Sequence, residues 1–396
     1  MRRIAAFAMS DPNHFGTPQM VVAELARAGA EVRFWTDRRF AQRVAEAGAQ
    51  FADVFASGPL ESVDDCSSPW PARFVTYAGV HGQAIIEEVA RFKPDLVLYD
   101  GFAVVARVVA AALSIPAVIV NSAHGIYGPE FRPVLAREPR VAIDARCHAA
   151  VERLRSAFGI QDASPFSYVA DPSPVLNIHV EPKEWYTEAQ KAKLGPLAYF
   201  GAVPDRSFAR PQRHGGRPRV LVSFGTIVWR YWTAEALAAL AAIADGVEAS
   251  GAEGVMTVGG ATVSDEALAA LVRPGVRVER FLDQWKELGE ADVFITHHGI
   301  GSTHESVARG TPMLSFPFFW DQPQLAARAQ EFGLALPLAG ALGPEADLTA
   351  QQVRERVDDI LSRRAQVLAA LESARAWERR TIAGRPALAQ RIIDLV

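Results

Sequence analysis

Apolar residues in this chain come in short unbroken runs, and the runs alternate with stretches of helical period. Residues 3–9 form one such run and predict a buried strand. Residues 18–28 bring Met20, Val21, Leu25 and Ala28 close to one face of a predicted helix, which Gly29 ends. EVRFWT (31–36) is the next strand. DLVLYD (95–100), a helix through Val104–Leu113, and PAVIVNS (116–122) repeat the alternation. Strands apolar on both faces, with helices between them, predict a parallel sheet covered on both sides.

DPSPVLNIHVEPKEW contains one more short strand, and then the pattern breaks. PDRSFARPQRHGGRPR (204–219) is polar and rich in Arg, Pro and Gly, so a linker is expected there, over 206–217. The alternation then restarts: RVLVSFG (219–225), a helix near 233–247, GVMTVGG, a helix near 265–272, VRVERF, a short helix, DVFIT, a helix from about Ser302, and PMLSFP. A length of 396 residues suits two domains rather than one core. The expected division is 1–205, the linker, 218–380, and an amphipathic helix in 381–396 crossing back to the first domain. The fold class is α/β, as two doubly wound Rossmann-like domains facing across a deep cleft.

Composition narrows the function classes. With 49% apolar and 22% charged residues the chain reads as globular, and a net charge of −4 gives no electrostatic case for nucleic acid or an anionic membrane surface. Cys66 and Cys147 have no metal-ligand spacing and form no disulfide framework, so a reducing cytoplasm is expected. The start MRRIAAFAMSDPNH is a strand rather than a signal peptide, and no window reaches the length of a membrane span.

The stretch ITHHGIGSTHESVARGTPMLSFPFFWDQPQ (295–324) carries the densest chemistry. In open α/β sheets ligands sit outside the carboxyl ends of the strands. DVFIT puts His297 and His298 on that rim. Gly299 and Gly301 let backbone approach a ligand, Ser302 or Thr303 can cap the next helix, and Glu305 suits its first turn. A helix start of this kind suits a phosphate. Three more strand ends add to it. Gly225–Thr226 offers a hydroxyl, Phe281 to Gln284 an aromatic face beside polar groups, and Asp321–Gln322 hydrogen bonds for sugar hydroxyls. A dinucleotide fingerprint is absent, because His304 stands where Gly299-x-Gly301 would need a third glycine.

These residues resemble the donor signature of family 1 glycosyltransferases, nucleotide-sugar enzymes of the GT-B fold. FLDQWKEL, THHGIGSTHESVARGTPMLSFP and DQ carry the match over 281–324. At the N-terminus His14, a helix, Gly29 and EVRFWT are similar to the family's Gly-His-x-Asn-Pro, helix, Arg-Gly-His-Glu-Val pattern, and FGAVP (200–204) falls where the family's first domain ends. Bacterial enzymes acting on macrolides and other natural products are the relatives implied. Three departures stand out: Phe281 where Trp is common, Asp283 for Pro, and Asn13-His14-Phe15-Gly16-Thr17 in the first motif.

The resemblance implies roles. His297, the turn Gly299 to Thr303 and Gly225–Thr226 would hold the diphosphate. Glu305 and Gln284 would lie at the ribose. Phe281 would stack on the base, with the Leu282 backbone at its edge, and Asp321 and Gln322 would hold the sugar. It also places a His–Asp pair at His14 and Asp100, two residues on one rim, as general base and its orienting carboxylate. His124 is the spare base candidate. Phe15, Trp70, Phe74, Tyr77, Tyr127 and Phe131 are the aromatic candidates for an acceptor pocket, and their types fit core packing equally well.

No Asp-x-Asp occurs in the chain, so no metal, and no cofactor beyond the UDP- or dTDP-sugar co-substrate, is expected. Direct displacement with a base implies inversion. The expected partners are a nucleotide-sugar donor and a small-molecule aglycone, with no nucleic acid and no membrane, in a monomer or homodimer. Two other readings stay open: a non-catalytic nucleotide-sugar-binding protein, and a GT-B-fold 2-epimerase.

Overall fold

A computed structural model describes residues 1–60, 72–137, 143–209, 216–340 and 348–396. The chain divides into two compact units, Met1–Gly201 with Thr381–Val396, and Ala202–Arg380.

The first unit holds seven strands: β1 (Arg3–Phe7), β2 (Glu31–Thr36), β3 (Gln50–Asp53), β4 (Leu96–Asp100), β5 (Ala117–Asn121), β6 (Leu176–His179) and β7 (Leu197–Tyr199). They pair in the order β3-β2-β1-β4-β5-β6-β7, all parallel. β1 and β4 are almost wholly buried, as expected of central strands covered on both faces. The strand order reverses between β1 and β4, which splays apart the loops leaving their carboxyl ends and opens a crevice. Phe7 lies opposite Tyr99, so residues 8 and 100 leave the sheet as neighbours.

The second unit holds β8 (Arg219–Ser223), β9 (Glu253–Thr257), β10 (Val276–Glu279), β11 (Val293–Thr296), β12 (Met313–Ser315) and β13 (Ala335–Pro337). The order is β10-β9-β8-β11-β12-β13, again parallel throughout. Its reversal lies between β8 and β11. Ser223 pairs with Thr296, so Phe224 and His297 emerge side by side.

Several local expectations need correction. The first helix is Pro12–Arg27, beginning well before residue 18. Pro12 has the φ a helix start needs, and the Asp11 Oδ1 accepts the His14 N–H at 3.4 Å as a cap would. Pro18, which reads as a start in sequence, sits inside the helix. The 20-residue helix Arg73–Phe92 has no counterpart among the sequence expectations.

Of the stretch 206–217, residues 210–215 lie outside the described residues. Residues 207–209 are fastened within the second unit. Arg309 donates to the carbonyls of Ser207 and Ala209, and Arg375 donates to that of Phe208 at 2.7 Å. The last helix, Arg385–Ile393, belongs to the first unit and packs on Pro12–Arg27. Its buried Arg385 donates to the carbonyls of Phe200 and Gly201 at 2.8 and 2.9 Å, which satisfies acceptors just past β7. Among the described residues no helix is long and apolar enough to cross a membrane.

Candidate active site and its relatives

Both groups of candidate residues lie at the strand-order reversal of their own sheet. In the first unit Asp100 is the last residue of β4, and His14 lies in the first turn of the helix after β1. His14 Nδ1 and Asp100 Oδ1 are 2.7 Å apart. The Asp100 side chain is 1% exposed and that of His14 is 18% exposed, so the imidazole is the end of the pair that a solute can reach. The carboxylate is held on both oxygens. The Phe102 N–H donates to Oδ1 at 2.9 Å and the Ser122 hydroxyl to Oδ2 at 2.9 Å. Neither contact was anticipated from sequence. The only signal for them is that residues 102 and 122 lie just past the ends of the adjacent strands β4 and β5.

The proposed acceptor residues separate under burial. Phe15 is fully buried and stacked on Phe34 and Phe40, with the Arg43 guanidinium over its ring. Phe74 and Tyr77 are buried too, and the Tyr77 hydroxyl donates to the Val54 carbonyl. These three are core residues. His124 is also interior. Its Nδ1 lies 2.8 Å from the Glu181 carboxylate, which also accepts from Tyr186, so it is no accessible base. Tyr127 and Phe131 stay half-buried around the start of the helix Gly128–Leu135. Trp70 lies outside the described residues.

In the second unit His297 slots between two glycines. A Cβ on Gly225 would come within 2.7 Å of its ring, and a Cβ on Gly299 within 2.4 Å of its Nε2. Gly225 also needs its φ of +67°, a conformation costly for other residues. Burial lowers the His297 pKa to about 4, against a smaller opposing pull from the Ser223 backbone, and no hydrogen bond of normal geometry reaches its Nδ1. His297 is therefore a neutral ring at ordinary pH.

His298 is fully buried, with a pKa lowered to about 3 by burial and then by His297. It bonds Thr303 Oγ1 at 3.2 Å and Ser315 Oγ at 2.8 Å. That removes Thr303 from the ligand side, since its buried hydroxyl serves the core. The following helix is Ile300–Arg309, capped by the Gly299 backbone with no side-chain cap bond, so neither Ser302 nor Thr303 is the cap. Its first N–H groups lack intrahelical partners, and the place of a Cβ on Gly301 is open space.

Beside that helix start the Gln284 amide donates to Ser302 Oγ at 3.1 Å and to Glu305 at 2.6 Å. Burial raises the Glu305 pKa, and the Gln284 bond and the Arg206 charge oppose the rise. Asp283, the departure from Pro, has a clear local task. Its carboxylate accepts the Lys286 N–H and caps the helix Gln284–Glu290. Phe281 is 72% exposed, an apolar ring standing open beside Gly260, with half-buried Leu282 next in the chain. Thr226 is exposed after β8. Asp321 and Gln322 are mostly buried at the start of the helix Gln322–Glu331. Gln322 Oε1 accepts from the N–H groups of Phe318 and Phe319, which leaves only its amide nitrogen for a ligand.

Comparison with known proteins assigns this architecture. Residues 243–381 match the family described as Erythromycin biosynthesis protein CIII-like, C-terminal domain. The oleandomycin glycosyltransferase of Streptomyces antibioticus is 28% identical over 374 residues, covering 90% of this chain and 83% of the relative. The solved structure of the kitacinnamycin glycotransferase superposes with a TM-score of 0.76 at 21% identity, over 100% of this chain and 99% of that one. The glycosyltransferase SsfS6 of Streptomyces sp. SF2575, solved with thymidine diphosphate, gives a TM-score of 0.64 at 20% identity, with 100% of both chains covered. The two doubly wound parallel sheets have the GT-B fold of these solved glycosyltransferases, and the chain is similar to natural-product glycosyltransferases over most of its length.

Proposed function

We propose that the chain moves a sugar from a nucleoside diphosphate, UDP or dTDP, to a hydroxyl of a hydrophobic small-molecule natural product. The reaction inverts the anomeric centre and needs no metal ion. The observation that carries the chemistry is the 2.7 Å bond between His14 Nδ1 and Asp100 Oδ1. A carboxylate on Nδ1 keeps a proton there and leaves the Nε2 lone pair as the base. The acceptor O–H gives its proton to Nε2 as its oxygen attacks the anomeric carbon. The bond from that carbon to the diphosphate oxygen breaks, and the diphosphate leaves with the electron pair. Attack opposite the leaving group inverts the carbon. The imidazolium formed stands against the Asp100 carboxylate.

The leaving diphosphate needs fixed positive potential. The open start of the helix Ile300–Arg309 offers backbone donors and a helix dipole, and neutral His297 and the Thr226 hydroxyl add side-chain donors. The exposed Phe281 ring suits a nucleobase face, Glu305 and Gln284 suit ribose hydroxyls, and Asp321 with the Gln322 amide suits the sugar. The names of the oleandomycin and kitacinnamycin relatives favour a natural-product aglycone, and the SsfS6 complex favours dTDP among the nucleotides.

Calorimetric titration with UDP, dTDP and NAD, in EDTA and then with Mg²⁺, tests the donor half. Metal-free binding of UDP or dTDP without NAD is the expected result. Binding of NAD alone would remove the reading.

A further inference from the structure

We propose that Phe102 is a positioning residue for His14: its ring sets the plane of the imidazole, and its backbone N–H sets the carboxylate on which the imidazole leans. This rests on the reading of His14 as the base. A hydrogen bond at Nδ1 fixes one point of an imidazole, and any rocking about that point swings Nε2 through an arc. Proton transfer needs Nε2 held in one direction. The Phe102 ring opposes that rocking. It lies face to face with the imidazole, centroids 3.5 Å apart and planes 13° from parallel.

Phe102 is itself wedged from behind. The buried Phe74 ring is 5.6 Å away, and the buried Tyr168 ring meets it edge-on at 5.9 Å. The turn that brings it there is made by Asp100, whose Oδ1 accepts the Phe102 N–H two residues on. That same oxygen faces His14 Nδ1, so one carboxylate oxygen anchors both partners of the stack. Ser122 holds the other oxygen. An aromatic face against the ring also attracts the imidazolium that forms when His14 takes a proton. Phe74 thus acts behind the pair rather than as an acceptor wall.

Two readouts test this on the full chain, with F102L removing the aromatic face at similar bulk and F102Y restoring it. The first is histidine side-chain NMR on ¹⁵N-labelled protein, with the His14 signals assigned by their loss in H14Q. In the wild type and in F102Y, His14 shows one tautomer, protonated at Nδ1, and an upfield ring-current shift at Cε1–H. In F102L that shift is lost and the tautomers mix. Unchanged His14 signals in F102L would overturn the proposal.

The second readout is release of UDP from UDP-glucose, or of dTDP from dTDP-glucose, with 4-methylumbelliferone as the acceptor probe. F102L lowers turnover roughly tenfold with nucleotide affinity unchanged, and has no further effect in an H14A background. An equal loss in both backgrounds would show that Phe102 does not act through His14. Normal turnover by H14A would remove the base reading, and the NMR comparison would still decide the role of Phe102.

Discussion

Each unit carries a histidine at the reversal point of a similarly wound parallel sheet, yet the two rings have opposite surroundings. His14 is partly exposed and bonded to a buried carboxylate that two further donors hold in place. Among the described residues no carboxylate shifts His297, which lies between two glycines and is held neutral by burial. Topology delivers a side chain to the rim, and the groups within a few ångströms decide its chemistry. A carboxylate partner favours accepting a proton. A dry, uncharged slot favours a neutral ring.

The comparison is broken most strongly at His14. H14A is expected to lower acceptor-dependent turnover by about 10²–10⁴-fold while the calorimetric affinity for UDP or dTDP stays the same. D100N keeps the shape but not the charge, and roughly a 10²-fold loss is expected from the wrong tautomer. Equal affinity losses in these variants would show that the two histidines are not separate in function.

Smaller effects sharpen the other side. In G299A a methyl group would press on the His297 ring, and nucleotide affinity is expected to fall about tenfold with little change in the His14 NMR signals. G225A adds a left-handed backbone cost of about 1–2 kcal/mol, to be read as a lower melting temperature. F281A removes an exposed ring, so melting should be unchanged while nucleotide affinity falls about fivefold, the low end for base stacking.

The buried histidines also set a pH signature. The pKa values of His179 and His297 are lowered from 6.5 to about 4, and that of His298 to about 3. The unfolded chain therefore binds more protons than the native one below pH 6.5. This contribution to stability is complete above that pH and declines as pH falls toward 4. Thermal melts between pH 7.5 and 4.5 should show a falling transition over the acid half of the range. A flat profile would mean that these rings are solvated.

The central strands β1, β4, β8 and β11 were legible because they are apolar runs. The edge strands were not. Gln50–Asp53 is half-exposed and carries no apolar run, and Leu197–Tyr199 and Ala335–Pro337 are three residues each. The turn after β11 was legible from its glycines, although the reason for Gly225 and Gly299 is a His297 ring that only tertiary contact brings to both. Aromatic identity misled. Phe15, Phe74 and Tyr77 have the composition of a pocket and the burial of a core, and no local pattern separates the two. His124 looked available because its partner Glu181 lies far along the chain. Asp283, a departure from the family's Pro, is a helix cap.

The central claim is sugar transfer with His14 as the base. The most direct measurement is release of UDP or dTDP from its glucose donor in EDTA, with and without 4-methylumbelliferone, by the wild type and by H14A. The account predicts acceptor-dependent release by the wild type, and its loss in H14A while the nucleotide still binds. Acceptor-dependent release by H14A at the wild-type rate would contradict it.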